Sequence, residues 1–169
     1  MSTLVITVIG TDRAGLVNAL ATVVADHGGN WTRSQLAELA GAFAGIVVAE
    51  IPDARAADFT AAVRAIEGLE VVVQGGSDAA AEHDSQVTLE VLGNDRPGIV
   101  RDVSRVFARH GLSIEELSTD TREAPMAGGR LFEARLVVDA ADPAVMDAVR
   151  ADLERLATEL MVDLTWAQK

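Results

Sequence analysis

Apolar residues change their spacing in a fixed order along this chain. Residues 3–9, TLVITVI, are rich in β-branched side chains and stop at Gly10. That pattern predicts a strand apolar on both faces. From Leu16 the apolar positions Leu16, Val17, Leu20, Val23 and Val24 fall three and four apart, the spacing of a helix with one buried face. His27-Gly28-Gly29 predicts its end, because glycine supplies the left-handed residue of a helix exit. NWTRSQLAEL (30–39) predicts a second strand, Ala40-Gly41 a turn and FAGIVVAEI (43–51) a third strand. Pro52-Asp53 turns the chain, Phe59, Ala62, Val63 and Ile66 mark a second helix, and LEVVV (69–73) closes with a fourth strand.

The same order then repeats. QVTLEVL (86–92) reads as a strand, and Ile99, Val100, Val103, Val106 and Phe107 as a helix. LSIEELSTDT (112–121) predicts a strand, REAPMAGG (122–129) a long turn, and RLFEARLVV (130–138) a strand with Phe132, Ala134, Leu136 and Val138 on one face. Asp142-Pro143 predicts an N-cap and a proline in the first turn. Val145, Val149, Leu153 and Leu156 carry the helix, and ELMVDLTW (159–166) predicts the last strand. Between the halves, QGGSDAAAEHDS lacks apolar periodicity and reads as a linker. The expected fold class is α+β: two ferredoxin-like βαββαβ domains in tandem, over residues 1–75 and 86–169, joined by 76–85. In each, both helices cover one face of an antiparallel sheet. If the other face is apolar it needs a cover, which is a physical reason both for duplication and for a homodimer.

Charge narrows the partners. The net charge is −12, and residues 1–83 and 84–169 each carry −6, from 4 against 10 and from 10 against 16 charged residues. Direct binding to nucleic acid or an anionic membrane is disfavoured, since cationic contact dominates both. Arg101, Arg105 and Arg109 recur every four residues on one helix face. With Asp102, Glu115 and Glu116 nearby in sequence, they read as a solvated face. Aromatic residues are 4%, so the core must be aliphatic, with Trp31 and Trp166 expected to pack on it. There is no cysteine, which excludes thiolate chemistry and disulfides. The N-terminal residues show neither signal-peptide nor span character, so the expectation is a cytoplasmic protein.

The two halves share one conspicuous motif. GTDRAGLVNALATVVADHG at Gly10 returns as GNDRPGIVRDVSRVFARHG at Gly93, 83 positions later. Each copy has an aspartate, an arginine and a glycine ahead of a helix. Unpaired N–H groups at a helix start hold carboxylates or phosphates. Asp12 and Asp95 can face a ligand's ammonium, cap their own helices, or only shape the turn. Neither a phosphate loop GxxxxGK[ST] nor the dinucleotide pattern GxGxxG is present.

VIGTDRAGLVNALATVVADHGGNW and VLGNDRPGIVRDVSRVFARHGLSI resemble the opening strand, turn and helix of ACT domains. Two such domains and little else, with TREAPMAGGRLFEARLVV (121–138), resemble the glycine cleavage system transcriptional repressor family. The resemblance implies a non-catalytic regulator that binds a small amino acid, glycine by implication. It also implies action through a regulatory protein partner, as an indirect repressor. A free-standing regulatory subunit of an amino-acid metabolic enzyme is the alternative. Formyltetrahydrofolate deformylases begin with a similar segment, but here a second copy occupies the place of their catalytic domain. The resemblance implies ligands held between domains, near the first turn and the start of the second strand: on this chain Gly10, Asp12, Arg13 and Gly15 with Asn30 across from them, and Gly93, Asp95, Arg96 and Gly98 with Ser113. Ala14 departs from the family's proline, which Pro97 keeps. Glycine stands where serine-binding members carry a histidine, which argues against serine. Asn30 against Ser113 implies unequal sites.

No catalytic constellation emerges, and no cofactor or metal is expected. His27 and His110 fall at equivalent helix ends, where imidazole suits the helix C-terminus, and His83 falls in the linker. HExxH and GxSxG are absent. Adjacent Glu115 and Glu116 would point to opposite faces of a strand.

Overall fold

A computed structural model describes residues 1–76, 85–124, 128–140 and 142–168. Contacts divide the chain into two compact units, Met1–Ala81 and Glu82–Lys169. The expected linker, 76–85, lies outside the described residues apart from Gly76 and Ser85, and His83 lies outside them too.

The first unit runs β1 (Ser2–Thr11), α1 (Leu16–Asp26), β2 (Asn30–Leu39), β3 (Ala42–Ile51), a short 3-10 turn (Asp53–Arg55), α2 (Ala56–Arg64) and β4 (Leu69–Gly75). The second runs β5 (Gln86–Asn94), α3 (Ile99–Arg109), β6 (Ile114–Glu123), β7 (Arg130–Asp139), α4 (Pro143–Leu160) and β8 (Val162–Gln168). Strand orders are β2-β3-β1-β4 and β6-β7-β5-β8, with every pairing antiparallel. This is the expected pair of ferredoxin-like α+β units.

Alternation along the strands puts the cores on the helix side. Ile6, Val8, Val47, Ala49 and Ile51 pack with Leu16, Leu20, Phe59 and Val63 in the first unit. Leu89, Val91, Leu136 and Val138 pack with Val103, Phe107, Val149 and Leu153 in the second. Trp31 and Trp166 are partly buried against these cores, and the Arg150 guanidinium lies 4.8 Å from the centre of the Trp166 ring. The opposite faces differ. The first sheet presents Ile9, Ile46 and Val72, each about half exposed (52%, 47% and 53%). The second presents Glu90, Arg135 and Asp163, all exposed, beside Leu92, which is 38% exposed.

Both first helices close the same way. The N–H of Gly29 bonds to Val24 O and that of Gly28 to Ala25 O; Leu112 bonds to Phe107 O and Gly111 to Ala108 O. Gly28 and Gly111 take the left-handed conformation, at φ 68° and 71°, which completes a Schellman exit. Leu112 is therefore still part of the helix exit, and β6 begins two residues later than the apolar pattern suggested. His27 Nδ1 meets Val23 O at 2.7 Å, while His110 Nε2 meets Asp152 at 2.9 Å and ties α3 to α4.

The predicted last strand, 159–166, needs correction. Glu159 and Leu160 belong to α4, and the strand starts at Val162. Leu160 lies seven residues after Leu153, two helical turns on, and is buried with it. Met161 then reverses the chain in a left-handed conformation, at φ 52°. Asp142 caps α4 as expected: its side chain accepts from Ala144 N (2.9 Å) and Val145 N (3.4 Å), with Pro143 next.

Gly10 lies near the end of the inner strand β1, paired with Phe43 on one side and Leu69 on the other. A Cβ at Gly10 would stand 2.0 Å from the Gly68 carbonyl oxygen, whereas at Gly93 it would first meet a methyl of Val162, at 2.5 Å. Backbone cannot yield as a side chain can. Gly10→Ala is therefore expected to cost about 1–3 kcal/mol, and Gly93→Ala distinctly less. Urea denaturation of the two variants checks the order.

Candidate functional site

The repeated turn is built identically in both units. β1 ends where the N–H of Asp12 bonds to Gly41 O (2.9 Å), in the neighbouring β2–β3 hairpin. In the second unit the N–H of Asp95 bonds to Arg130 O (2.8 Å). Three residues later Gly15 and Gly98 sit at φ 93° and 96° and serve as the N-caps of α1 and α3. Few residues other than glycine tolerate that conformation. Their carbonyls accept from Ala19 N and Asp102 N, so the helices start there.

Neither helix start receives a side-chain cap. This decides among the uses open to the aspartates: Asp12 and Asp95 do not cap. Their side chains are exposed, with no hydrogen bond or ion pair among the described residues. The first N–H groups of α1 and α3 are left for solvent or a ligand. Each turn thus offers a carboxylate beside free helix-start N–H groups, complementary in kind to the ammonium and carboxylate of an amino acid.

The two arginines diverge. Arg13 Nη2 donates to Glu67 O at 2.6 Å and ties the turn to the loop before β4. Arg96 instead lines a groove between α3 and α4.

Asn30 and Ser113 are not brought to these turns within their own units. Asn30 pairs with Glu50, whereas Gly10 pairs with Phe43. The two partners lie seven residues apart on β3, about 23 Å at the usual strand rise. Ser113 directly precedes Ile114, which pairs with Val138, whereas Gly93 pairs with Phe132. Each unit therefore gathers Gly10, Asp12, Arg13 and Gly15, or Gly93, Asp95, Arg96 and Gly98, at one end of its sheet. Asn30 or Ser113 stands at the other end, exposed. The hairpin carbonyls of Gly41 and Arg130 that anchor the turns had no signal in the sequence, because they are main-chain groups distant along the chain.

Among the described residues no group of histidine, aspartate and glutamate side chains could hold a metal ion, and no helix is long and apolar enough to cross a membrane.

Residues 2–73 match a family model described as an ACT domain, and residues 87–158 match another ACT-domain model. A UPF0237 protein of Methanopyrus kandleri is 34% identical over 82 residues, 47% of this chain and 83% of that protein. The crystal structure of an unknown protein from Galdieria sulphuraria is similar over 99% of this chain and 98% of that one, with a TM-score of 0.88 and 29% identity. A candidate glycine cleavage system transcriptional repressor of known structure is similar over 99% of this chain and 97% of its own, with a TM-score of 0.69 and 20% identity. That last likeness is one of fold.

The uncapped helix starts carry a stability prediction. Asp12→Ala and Asp95→Ala should each change folding free energy by less than about 0.5 kcal/mol. Asp142→Ala removes a cap that is present and should cost about 0.5–2 kcal/mol. Urea titration of the three variants measures the contrast.

Proposed function

The chain belongs to the ACT-domain family, whose domains are non-catalytic regulatory modules, and from that premise we propose that it senses a small amino acid at its two first-helix turns. One observation carries the reading: the same exposed aspartate, its side chain without a partner among the described residues, stands beside an uncapped helix start in both units. A carboxylate alone would recognise any cation, and a bare helix start any anion. Together they suit a zwitterion, with the aspartate toward the ammonium and the N–H groups after Gly15 or Gly98 toward the carboxylate.

Glycine is the first effector to test, because it is the smallest zwitterion and because a protein of the same fold bears the name of a glycine cleavage repressor. Occupancy would alter the surface around each turn and so the affinity for a regulatory protein partner. Any effect on transcription would then be indirect, as suits a chain with net charge −12.

Calorimetric titration of the full chain with glycine, alanine and serine tests this. Asp12→Asn removes the charge and keeps the shape. The double variant Asp12→Asn with Asp95→Asn should melt like the parent without ligand and bind roughly tenfold or more weakly. Parent-like binding by the double variant, or no heat from any of the three amino acids at millimolar concentration, would sink the proposal.

A further inference from the structure

The second unit carries a groove of about 590 Å³ between its two helices, α3 and α4. Arg96, Arg105, Arg109 and Arg155 stand around it, and Val106, Leu156 and Leu160 contribute apolar surface. Val106 and Leu160 are buried, and the four arginines are exposed.

The acids of the groove are largely occupied. Asp102 accepts from Arg101 Nε at 2.8 Å. That bond holds its carboxyl below the usual carboxylate range, with the charges of Arg105 and Arg96 adding to the effect. Asp152 bonds to His110 at 2.9 Å and also to Arg155. Glu115 accepts from Gln86 Nε2 at 2.7 Å and is not among the residues lining the groove. Arg96, Arg105 and Arg109 make no hydrogen bond or ion pair among the described residues, and Glu159 is the groove's one acid in the same condition. The groove therefore has an excess of unspent guanidinium donors in a chain that is acidic overall.

The fold does not require these arginines. At the positions of Arg101, Arg105 and Arg109, the first unit has Asn18, Thr22 and Asp26, and the residue equivalent to Arg96, Arg13, is bonded to Glu67 O. Helices α1 and α3 share their length, start and exit but not their charge, whereas α4, with 18 residues, is twice as long as α2, with 9.

We propose that the α3–α4 groove binds a small ligand bearing phosphoryl groups. The unspent guanidinium groups of Arg105 and Arg109, one turn apart on α3, and of Arg96 in the turn ahead of it can hold phosphoryl oxygens with paired N–H bonds. The volume lies in the range of small-molecule sites. Apolar surface between the arginines gives room for an organic body beside the anion. A nucleoside diphosphate and inorganic pyrophosphate share the recognised chemistry and differ in that body.

The test is calorimetric titration of the full chain with pyrophosphate and with ADP. Arg105→Gln combined with Arg109→Gln should weaken binding of both by roughly tenfold or more, with unchanged circular dichroism. Arg64→Gln, on α2 in the first unit, should bind like the parent. Tighter binding of ADP than of pyrophosphate would assign the source to nucleotides; equal affinity would assign it to the inorganic anion. The proposal is overturned by no heat from either at millimolar concentration, or by parent-like binding in the double variant. It is equally overturned if a poly-glutamate peptide binds more tightly than both, which would make the groove a dock for an acidic protein segment.

Discussion

One main-chain hydrogen bond in each unit determines where its first strand becomes a helix. The N–H of Asp12 is held by Gly41 O, and that of Asp95 by Arg130 O. Each bond spends the aspartate's backbone donor on the adjacent hairpin, and a left-handed glycine three residues on then starts the helix. The side chain between these two fixed points projects into solvent. A cap would have bent it back onto the helix start. The free carboxylate and the bare N–H groups are thus two results of one constraint.

The duplication preserved the strand order and the first strand, turn and helix, and let the surface diverge. Turn, Schellman exit and core alternation recur at a spacing of 83 residues. What differs is the second helix, nine residues in α2 and 18 in α4, and the outside: half-exposed Ile9, Ile46 and Val72 on the first sheet, Glu90, Arg135 and Asp163 beside Leu92 on the second, and an arginine-lined groove in the second unit. Core positions are constrained by packing, whereas surface positions answer to partners. Two units of one shape can therefore serve different contacts.

Most of the fold was legible because period-two and three-to-four spacings alternate clearly, with glycine or proline between them. The boundaries that shifted were those set by tertiary contact. Leu160 is apolar and fits either a strand or a helix pattern, and burial beside Leu153 made it helical. The site was legible in part. The motif marked Asp12 and Asp95, but sequence alone left capping open. The distance of Asn30 and Ser113 from the turns follows from strand register, which no local pattern encodes. The groove was half visible: the spacing of Arg105 and Arg109 put them on one face, but Arg155 and Glu159 join them only through the packing of α3 on α4.

The register breaks in β2 and β6 also recur, between Trp31 and Arg33 and between Ile114 and Glu116. Both strands are edges of their own sheets, and an edge strand is a template on which foreign chains can polymerise. A bulge adds local twist and interrupts the ladder of main-chain groups that an incoming strand would copy. It also resets which side chains face the helices, so deleting one residue there would turn the rest of the strand inside out. The irregularity thus spoils one of the two rims of each sheet as a template for added strands, while the other rim, β4 or β8, keeps a regular ladder.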